Sequence, residues 1–124
     1  MLVVENDPMT RKALHQIFDH RGWEVRGAAG IAEALRELDR APDCIILDLA
    51  LPDGDGETIL EANRAREKAP CAIVVTGLQE PARLDAVRQR SRAAAVSLKP
   101  VKMDQIFQIT APIRSARTRL GSGD

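Results

Sequence analysis

Short apolar runs alternate along the chain with longer segments in which apolar residues recur at helical spacing. The short segments are residues 2–4, 23–28, 44–47, 71–75 and 94–98, and polar or glycine-containing turns follow them. Segments this short predict strands, and the unbroken apolar run at 44–47 is typical of a strand that is buried on both faces of a sheet. The spacing predicts helices over residues 8–21, 31–40, 58–68 and 81–92, and a last helix from residue 102 onward.

Five strands that alternate with five helices predict one α/β domain in the 124-residue chain. Because crossover connections place helices on both faces, we expect a doubly wound parallel sheet. The domain is predicted to span residues 1–120. The Gly-Ser-Gly sequence at 121–123 predicts that residues 121–124 form a disordered tail or the start of a linker. Pro112 interrupts the last helical pattern, so a kink or break is expected near Ala111.

Charge and composition narrow the classes of partner. The 18 basic and 18 acidic residues give a formal net charge of zero, so we expect no direct binding of nucleic acid or of an acidic membrane. No apolar run approaches the ~18 residues of a membrane span, and no secretory signal pattern is present, so we expect a cytoplasmic protein. Cys44 and Cys71 match no metal-binding spacing and are expected to be buried, reduced thiols.

Polar side chains stand at the predicted carboxyl ends of the strands. They are Glu5 and Asn6, Asp48, Thr76, and Lys99 followed by Pro100. In a parallel sheet these ends meet at one edge. Oxygen ligands there suit a hard divalent cation, and a carboxylate beside a lysine suits phosphoryl transfer. No His, Cys or Ser with a partner base is expected at this edge, so hydrolase-type nucleophilic catalysis is not predicted.

Two acidic segments near this edge have a structural interpretation. Asp7 precedes Pro8 and is predicted to cap the first helix, although its carboxylate is also a candidate metal ligand. Residues 53–56 superficially match the start of a calcium loop, but Thr58 stands where that loop needs glycine and Arg64 where it needs glutamate. We therefore predict a turn at residues 53–56.

The strand-end residues, together with Pro52 and Gly56 after Asp48, resemble the receiver domains of two-component response regulators. The resemblance spans nearly the whole chain, and its five positions follow the family's order. It implies a flavodoxin-like (βα)5 three-layer sandwich whose parallel sheet has the strand order 2-1-3-4-5. It also implies that Asp48 accepts a phosphoryl group from the phosphohistidine of a sensor kinase in a phosphorelay.

The same resemblance assigns roles to the site residues. Mg²⁺ would be held by Glu5, Asn6, Asp48 and the backbone carbonyl of Ala50, while Thr76 and Lys99 would contact the phosphoryl group and Pro100 would orient the lysine. Such a domain is a signalling switch and not a classical enzyme. The reactions implied for the chain itself are at most self-phosphorylation and autodephosphorylation at Asp48.

The implied partners are a sensor histidine kinase or phosphotransfer protein, and an output domain or downstream protein. The output partner would bind the face formed by helix 81–92, strand 94–98 and the last helix, and a homodimer is left open. Arginines at positions 83, 88, 90 and 92 give that helix either a solvated face or a docking surface for an acidic partner.

Two departures from the family pattern leave a second function open. Asn6 replaces one acid of the usual adjacent pair, which predicts weak Mg²⁺ binding, and Val96 stands where the family usually has an aromatic residue. The alternative is therefore an atypical receiver that acts as a protein interaction module without phosphorylation. A flavodoxin-like cofactor binder is not favoured, because no glycine-rich phosphate-binding loop follows the first strand.

Overall fold

A computed structural model describes residues 1–66, 70–77, 95–98 and 102–122 of the chain. Within these residues the parallel strands are β1 (Leu2–Val4), β2 (Arg26–Ala28), β3 (Cys44–Leu47), β6 (Cys71–Thr76) and β7 (Ala95–Leu98). A small hairpin consists of β4 (Ala50–Leu51) and β5 (Gly54–Asp55). The helices are α1 (Pro8–His20), α2 (Ile31–Leu38), α3 (Glu57–Arg64) and α4 (Met103–Ser122). The predicted arginine-rich helix at 81–92, and Lys99 with Pro100, lie outside the described residues.

The five parallel strands are hydrogen-bonded in the order β2-β1-β3-β6-β7. This arrangement confirms the predicted order 2-1-3-4-5 and the doubly wound α/β fold. The strands β1 and β3 lie inside the sheet because all of their residues are apolar and buried. The strand β2 lies at an edge, where the exposed side chain of Arg26 can remain in solvent.

Alternate residues of the inner strands pack on opposite faces of the sheet. The face covered by α2 and α3 holds Val4, Leu47 and Val74, and the face covered by α1 and α4 holds Val3, Ile46 and Ile73. Full burial of each such side chain contributes about 1.5–3 kcal/mol. A slip of one residue would exchange the two sets, so these two cores fix the register of the strand ends.

The amino end of α1 is capped as predicted. Asp7 is the N-cap residue, and its carboxylate accepts a hydrogen bond from the Thr10 N–H at 3.2 Å. The Thr10 hydroxyl donates to the same carboxylate oxygen. Pro8 is in the first turn, where its missing N–H costs the helix no hydrogen bond. Asp7 thus serves the helix in this structure.

The carboxyl end of α1 explains why β2 is shorter than predicted. Gly22 has a positive φ of 89°, and the Trp23 N–H donates to the Phe18 carbonyl at 3.0 Å, which forms a Schellman motif. This bond keeps Trp23 in the turn, where its buried side chain belongs to the apolar cluster under α1. β2 therefore begins at Arg26, and the predicted strand start at residue 23 is wrong.

Helix α4 runs without interruption to Ser122, so the predicted break near Ala111 is wrong, and the helix includes the first two residues of the predicted tail. Pro112 cannot donate to the carbonyl of Gln108, but both residues are exposed and water can reach that carbonyl. Packing of Ile106, Phe107, Ile109 and Ile113 into the core offsets the ~3 kcal/mol cost of the proline. Neither α4 nor any other helix in the described part of the chain is apolar enough to cross a bilayer.

Candidate functional site

Glu5 and Asp48 occupy neighbouring positions at the carboxyl ends of β1 and β3. The register pairs Val4 with Leu47, and the Asp48 N–H donates to the Val4 carbonyl at 3.0 Å. Glu5 and Asp48 are therefore the next two residues that lie opposite each other, one position beyond the ends of β1 and β3. Their residues are only 4% and 7% exposed. The structure thus brings two of the predicted site residues together in a place with little solvent.

Two carboxylates on adjacent strands repel each other more strongly when solvent is scarce. The fold orients one of them directly, because Asp48 Oδ1 accepts the Ala50 N–H at 3.0 Å. A divalent cation that has both carboxylates among its oxygen ligands would offset the repulsion between them. Among the described residues, no group of three or more His, Cys, Asp and Glu side chains could hold a metal ion. A cation beside Glu5 and Asp48 would therefore also need neutral oxygen ligands such as the Asn6 amide.

Arg11 fixes the backbone of the segment that carries Glu5 and Asn6. Its guanidinium Nη1 donates to the Glu5 carbonyl at 2.7 Å and to the Asn6 carbonyl at 3.4 Å. Gly27 on β2 makes room for this side chain, since a Cβ atom there would lie 3.2 Å from Arg11 Cδ. The sequence did not identify this role, because an arginine on a helix carries no sign of which distant carbonyls it contacts.

The loop after Asp48 forms the small β4–β5 hairpin. Of the predicted turn at residues 53–56, Asp53 lies at the tip of this hairpin and Gly56 in the turn after it, whereas Gly54 and Asp55 form β5. Asp53 reaches from this hairpin to the amino end of α2, where its carboxylate accepts the N–H groups of Ile31 at 2.8 Å and Ala32 at 3.2 Å. These two hydrogen bonds lower the pKa of Asp53. Gly30 is the N-cap residue of α2, and a Cβ atom there would come within 2.8 Å of Asp53 Oδ1.

Gly56 lets the start of α3 lie directly against the strand end that carries Asp48. Its N–H donates to the Leu49 carbonyl at 2.9 Å. A Cβ atom at this position would lie 2.8 Å from Leu49 Cα and 3.0 Å from the Asp48 carbonyl oxygen. The side chain is excluded by backbone atoms, which cannot rotate away. Glycine at position 56 is therefore a packing requirement of the site.

An open hollow of about 430 Å³ is lined in part by the residues that directly follow Glu5 and Asp48 in the sequence. Its lining residues are Asn6, Leu49, Ala50, Leu51, Pro52, Gly54 and Asp55. Asn6 and Ala50 are exposed there, whereas Glu5 and Asp48 are buried. A small polar ligand could therefore reach the predicted neutral ligands, Asn6 and the Ala50 carbonyl, from solvent.

The other predicted site residues belong to β6 and to the segment that follows β7 in the sequence. Thr76 is the last residue of β6 and is paired with Leu98 of β7. Lys99 follows Leu98 in the sequence. Lys99 and Pro100 themselves lie outside the described residues. Val96 is paired with Val74, two positions before Thr76 and Leu98. The backbone thus places Thr76 at the same edge of the sheet as Asp48.

Comparison with known sequences identifies the type of domain. The chain matches the family model of the response regulator receiver domain over residues 1–111. A protein-glutamate methylesterase/protein-glutamine glutaminase of Anaeromyxobacter dehalogenans is 38% identical over 82 residues, which are 65% of this chain and 23% of that protein. The chain spans about a quarter to a half of the length of the curated relatives that it matches.

Solved structures with similar sequences have the same fold. A CheY-like response regulator receiver domain protein of Methanospirillum hungatei has a TM-score of 0.79 and 26% identity, and the match covers 95% of both chains. A response regulator of Burkholderia pseudomallei has a TM-score of 0.73 and 25% identity, over 97% of this chain and 72% of that chain. That structure contains a phosphorylated aspartic acid, a calcium ion and citrate.

Proposed function

Because the chain belongs to the family of response regulator receiver domains, we propose that it accepts a phosphoryl group on Asp48 in two-component signalling. The observation that carries this proposal is the burial of Asp48 at the carboxyl end of β3, in the same row as Glu5. The phosphorylated aspartic acid in the similar Burkholderia pseudomallei protein supports an aspartate as the acceptor. The donor would be the phosphohistidine of a sensor kinase or of a phosphotransfer protein.

In the transfer, a carboxylate oxygen of Asp48 attacks phosphorus in line with the bond to the departing histidine nitrogen. The new O–P bond forms as the N–P bond breaks, and the electron pair of that bond stays on the imidazole nitrogen. The hydrogen bond from the Ala50 N–H to Asp48 Oδ1 holds the carboxylate in one orientation before the reaction. The product is an aspartyl phosphate.

The residues of the site fit a Mg²⁺ ion. Glu5 and Asp48 supply adjacent carboxylates, and Asn6 and the Ala50 carbonyl supply neutral oxygens at the solvent-exposed side. When bound, the ion would offset the negative charge of the transferring phosphoryl oxygens. The chain itself prepares this ligand set, because Arg11 holds the backbone that carries Glu5 and Asn6.

Thr76 and Lys99 are proposed to recognise the phosphoryl group. The pairing of Thr76 with Leu98 supports this assignment, since it brings the ends of β6 and β7 to the edge where Asp48 lies. A hydroxyl and an ammonium group both donate hydrogen bonds to phosphoryl oxygens. Their attraction to the new charge would draw the β6 and β7 loops toward Asp48 and so change the neighbouring surface.

Receiver domains interact with histidine kinases and with output domains. We propose that the output partner of this domain binds a face that includes β7 and α4, together with the arginine-rich helix that the sequence predicts at 81–92. We also propose that the domain works in the cytoplasm. Its own chemistry would be limited to forming and hydrolysing the phosphate on Asp48. We propose residues 1–120 as the receiver domain.

A second candidate function is binding without phosphorylation. Asn6 favours it, because the exposed position beside the acidic pair carries an amide where a carboxylate would bind Mg²⁺ more tightly. Val96 favours it as well, since a short aliphatic side chain would couple poorly to movement of Thr76. In this alternative the domain presents the same surface to a partner in one constant state.

Mass spectrometry of the intact chain after incubation with acetyl phosphate and Mg²⁺ tests the two functions. Phosphorylation predicts a single phosphoryl adduct in the parent and none in Asp48→Asn. Asp43→Asn is the matched control, because it removes a carboxylate at the opposite end of the same strand and should leave labelling intact. If the parent chain is not labelled although circular dichroism shows that it is folded, the result would favour the second function, binding without phosphorylation. Equal labelling of the parent and Asp48→Asn would show that another residue is the acceptor.

A further inference from the structure

The two cysteines of the chain lie side by side on neighbouring strands, at the edge of the sheet opposite Asp48. Cys44 is the first residue of β3 and Cys71 the first residue of β6, and the register pairs them directly. The Cys71 N–H donates to the Asp43 carbonyl at 3.1 Å, which ties the two strands together at this point. Both side chains pack in the same apolar cluster. Each thiol therefore has the other as a neighbour on one face of the sheet.

The two thiols differ in access and in acidity. Cys44 is buried, whereas Cys71 is partly exposed. A hydrogen bond from the Cys44 thiol stabilises the Cys71 thiolate and lowers the pKa of Cys71 to about 7. The same bond, together with burial, raises the pKa of Cys44. The pair thus combines an accessible thiol that ionises readily with a protonated thiol beside it.

We propose that Cys44 and Cys71 form a redox site that a hydroperoxide converts into an intramolecular disulfide. The Cys71 thiolate attacks one oxygen of the hydroperoxide, and the O–O bond breaks to give a sulfenic acid on Cys71 and a hydroxide or alkoxide that takes up a proton. The Cys44 sulfur then attacks the sulfenic sulfur. The S–S bond forms, and the hydroxyl group leaves as water with the Cys44 proton. Two thiols are oxidised by two electrons and the peroxide is reduced.

Strand geometry allows this bond but makes it strained. Neighbouring strands lie about 4.8 Å apart, within the ~4.4–6.8 Å range of Cα separations in disulfides. The Cβ atoms of a disulfide are closer, at about 3.8 Å, so the ends of β3 and β6 must approach by roughly 1 Å. Because both cysteines are the first residues of their strands, this adjustment is needed only at the strand ends. A strained disulfide is reduced easily, so we expect the reaction to be reversible.

The test uses the whole chain, reduced and then exposed to hydrogen peroxide. Remaining thiols are blocked with a maleimide after unfolding, and intact mass and peptide mapping identify the products. The expected result is concerted loss of both thiols, a peptide that links Cys44 to Cys71 in a monomeric chain, and recovery of both thiols with dithiothreitol. A disulfide between two chains, or oxidation of Cys71 beyond the sulfenic acid while Cys44 still reacts with the maleimide, would overturn the proposal.

Single substitutions separate the roles of the two thiols. In Cys44→Ala the reaction should stop at the sulfenic acid of Cys71, which dimedone would trap. In Cys71→Ala the buried Cys44 should stay reduced under the same exposure, and rapid oxidation of Cys44 in that variant would contradict the assigned order of attack. Circular dichroism establishes that each variant is folded. The linked peptide in the parent chain tests the proposal even where a variant fails to fold.

Discussion

The carboxylate of Asp53 accepts the backbone N–H of Ile31 at 2.8 Å, although 22 residues separate them in the sequence. The loop that follows the proposed acceptor therefore caps a helix that precedes it. Helix amino ends carry unpaired N–H groups and a partial positive charge. A carboxylate accepts hydrogen bonds from these groups and is attracted by the charge. Asp53 thereby ties the β4–β5 hairpin to α2 and limits where the loop beside Asp48 can move.

Asp53→Asn should lower stability at neutral pH, and the loss should depend on pH. The folded-state pKa of Asp53 lies below its unfolded value, so its charge stabilises the fold above the unfolded pKa of about 3.9. This contribution is lost as the pH falls through the lower, folded-state pKa. Urea unfolding of parent and variant from pH 7 to pH 3 should show the difference shrinking below about pH 4. Asp19→Asn, on the exposed side of α1, is the control for the loss of one surface carboxylate.

Gly56→Ala should destabilise the domain by about 1–3 kcal/mol, because the added methyl group meets the backbone of Leu49 and Asp48. The φ of Gly56 is −61°, so crowding and not backbone conformation causes the loss. Gly77→Ala is the matched control, since a Cβ atom there has no neighbour within 4 Å. Urea unfolding checks both variants. Equal stability of the two would show that α3 can shift away from the strand end at little cost.

Asn6→Asp should raise the affinity for Mg²⁺ by about one to two decades, because a third carboxylate, beside those of Glu5 and Asp48, strengthens the attraction to the ion. Labelling of Asp48 should become faster at limiting Mg²⁺. Asp7→Ala should instead cost about 1 kcal/mol of stability through loss of the α1 cap and leave the affinity nearly unchanged. A Mg²⁺ titration of the parent, Asn6→Asp and Asp7→Ala measures the three affinities. A large drop in affinity in Asp7→Ala would make Asp7 the missing metal ligand.

Arg11→Ala should lower the free energy of unfolding by about 1.5 kcal/mol, the lower end for hydrogen bonds from a charged donor, because Arg11 is only partly buried. Arg11→Lys should recover part of this loss through one hydrogen bond. Lys12→Ala, at the exposed neighbouring position, should change stability by less than about 0.5 kcal/mol. Urea unfolding of the three variants is the measurement. If the stability of Arg11→Ala equals that of the parent, the segment that carries Glu5 and Asn6 keeps its position without the hydrogen bonds from Arg11.

The sequence predicts the centre of the sheet well because β1 and β3 are continuous, buried apolar runs. It fails where local contacts override the pattern. Trp23 looks like a strand residue, but the hydrogen bond to Phe18 keeps it in a turn. Pro112 looks like a helix breaker, but core packing of its neighbours and its own exposure allow the helix to continue.

Within the site, the positions of Glu5 and Asp48 follow from the strand pattern alone, since parallel strands bring their carboxyl ends together. The contacts that join distant segments could not be predicted. Arg11 and the Glu5 carbonyl, Asp53 and α2, and Cys44 and Cys71 each meet only because the register and the packing of the whole domain place them there.

Helix α4 has a mechanical consequence that follows from its length. Its 20 residues span about 30 Å, whereas the strands of the five-stranded sheet have three to six residues and span roughly 10–20 Å. Ile106, Phe107, Ile109 and Ile113, in the first 11 residues of this helix, pack into the core. A rigid rod amplifies rotation about one end, so a tilt of about 10° about Met103 would carry Ser122 through roughly 5 Å. A small rearrangement at the sheet would therefore become a displacement larger than a hydrogen-bond length at the far end of this rod.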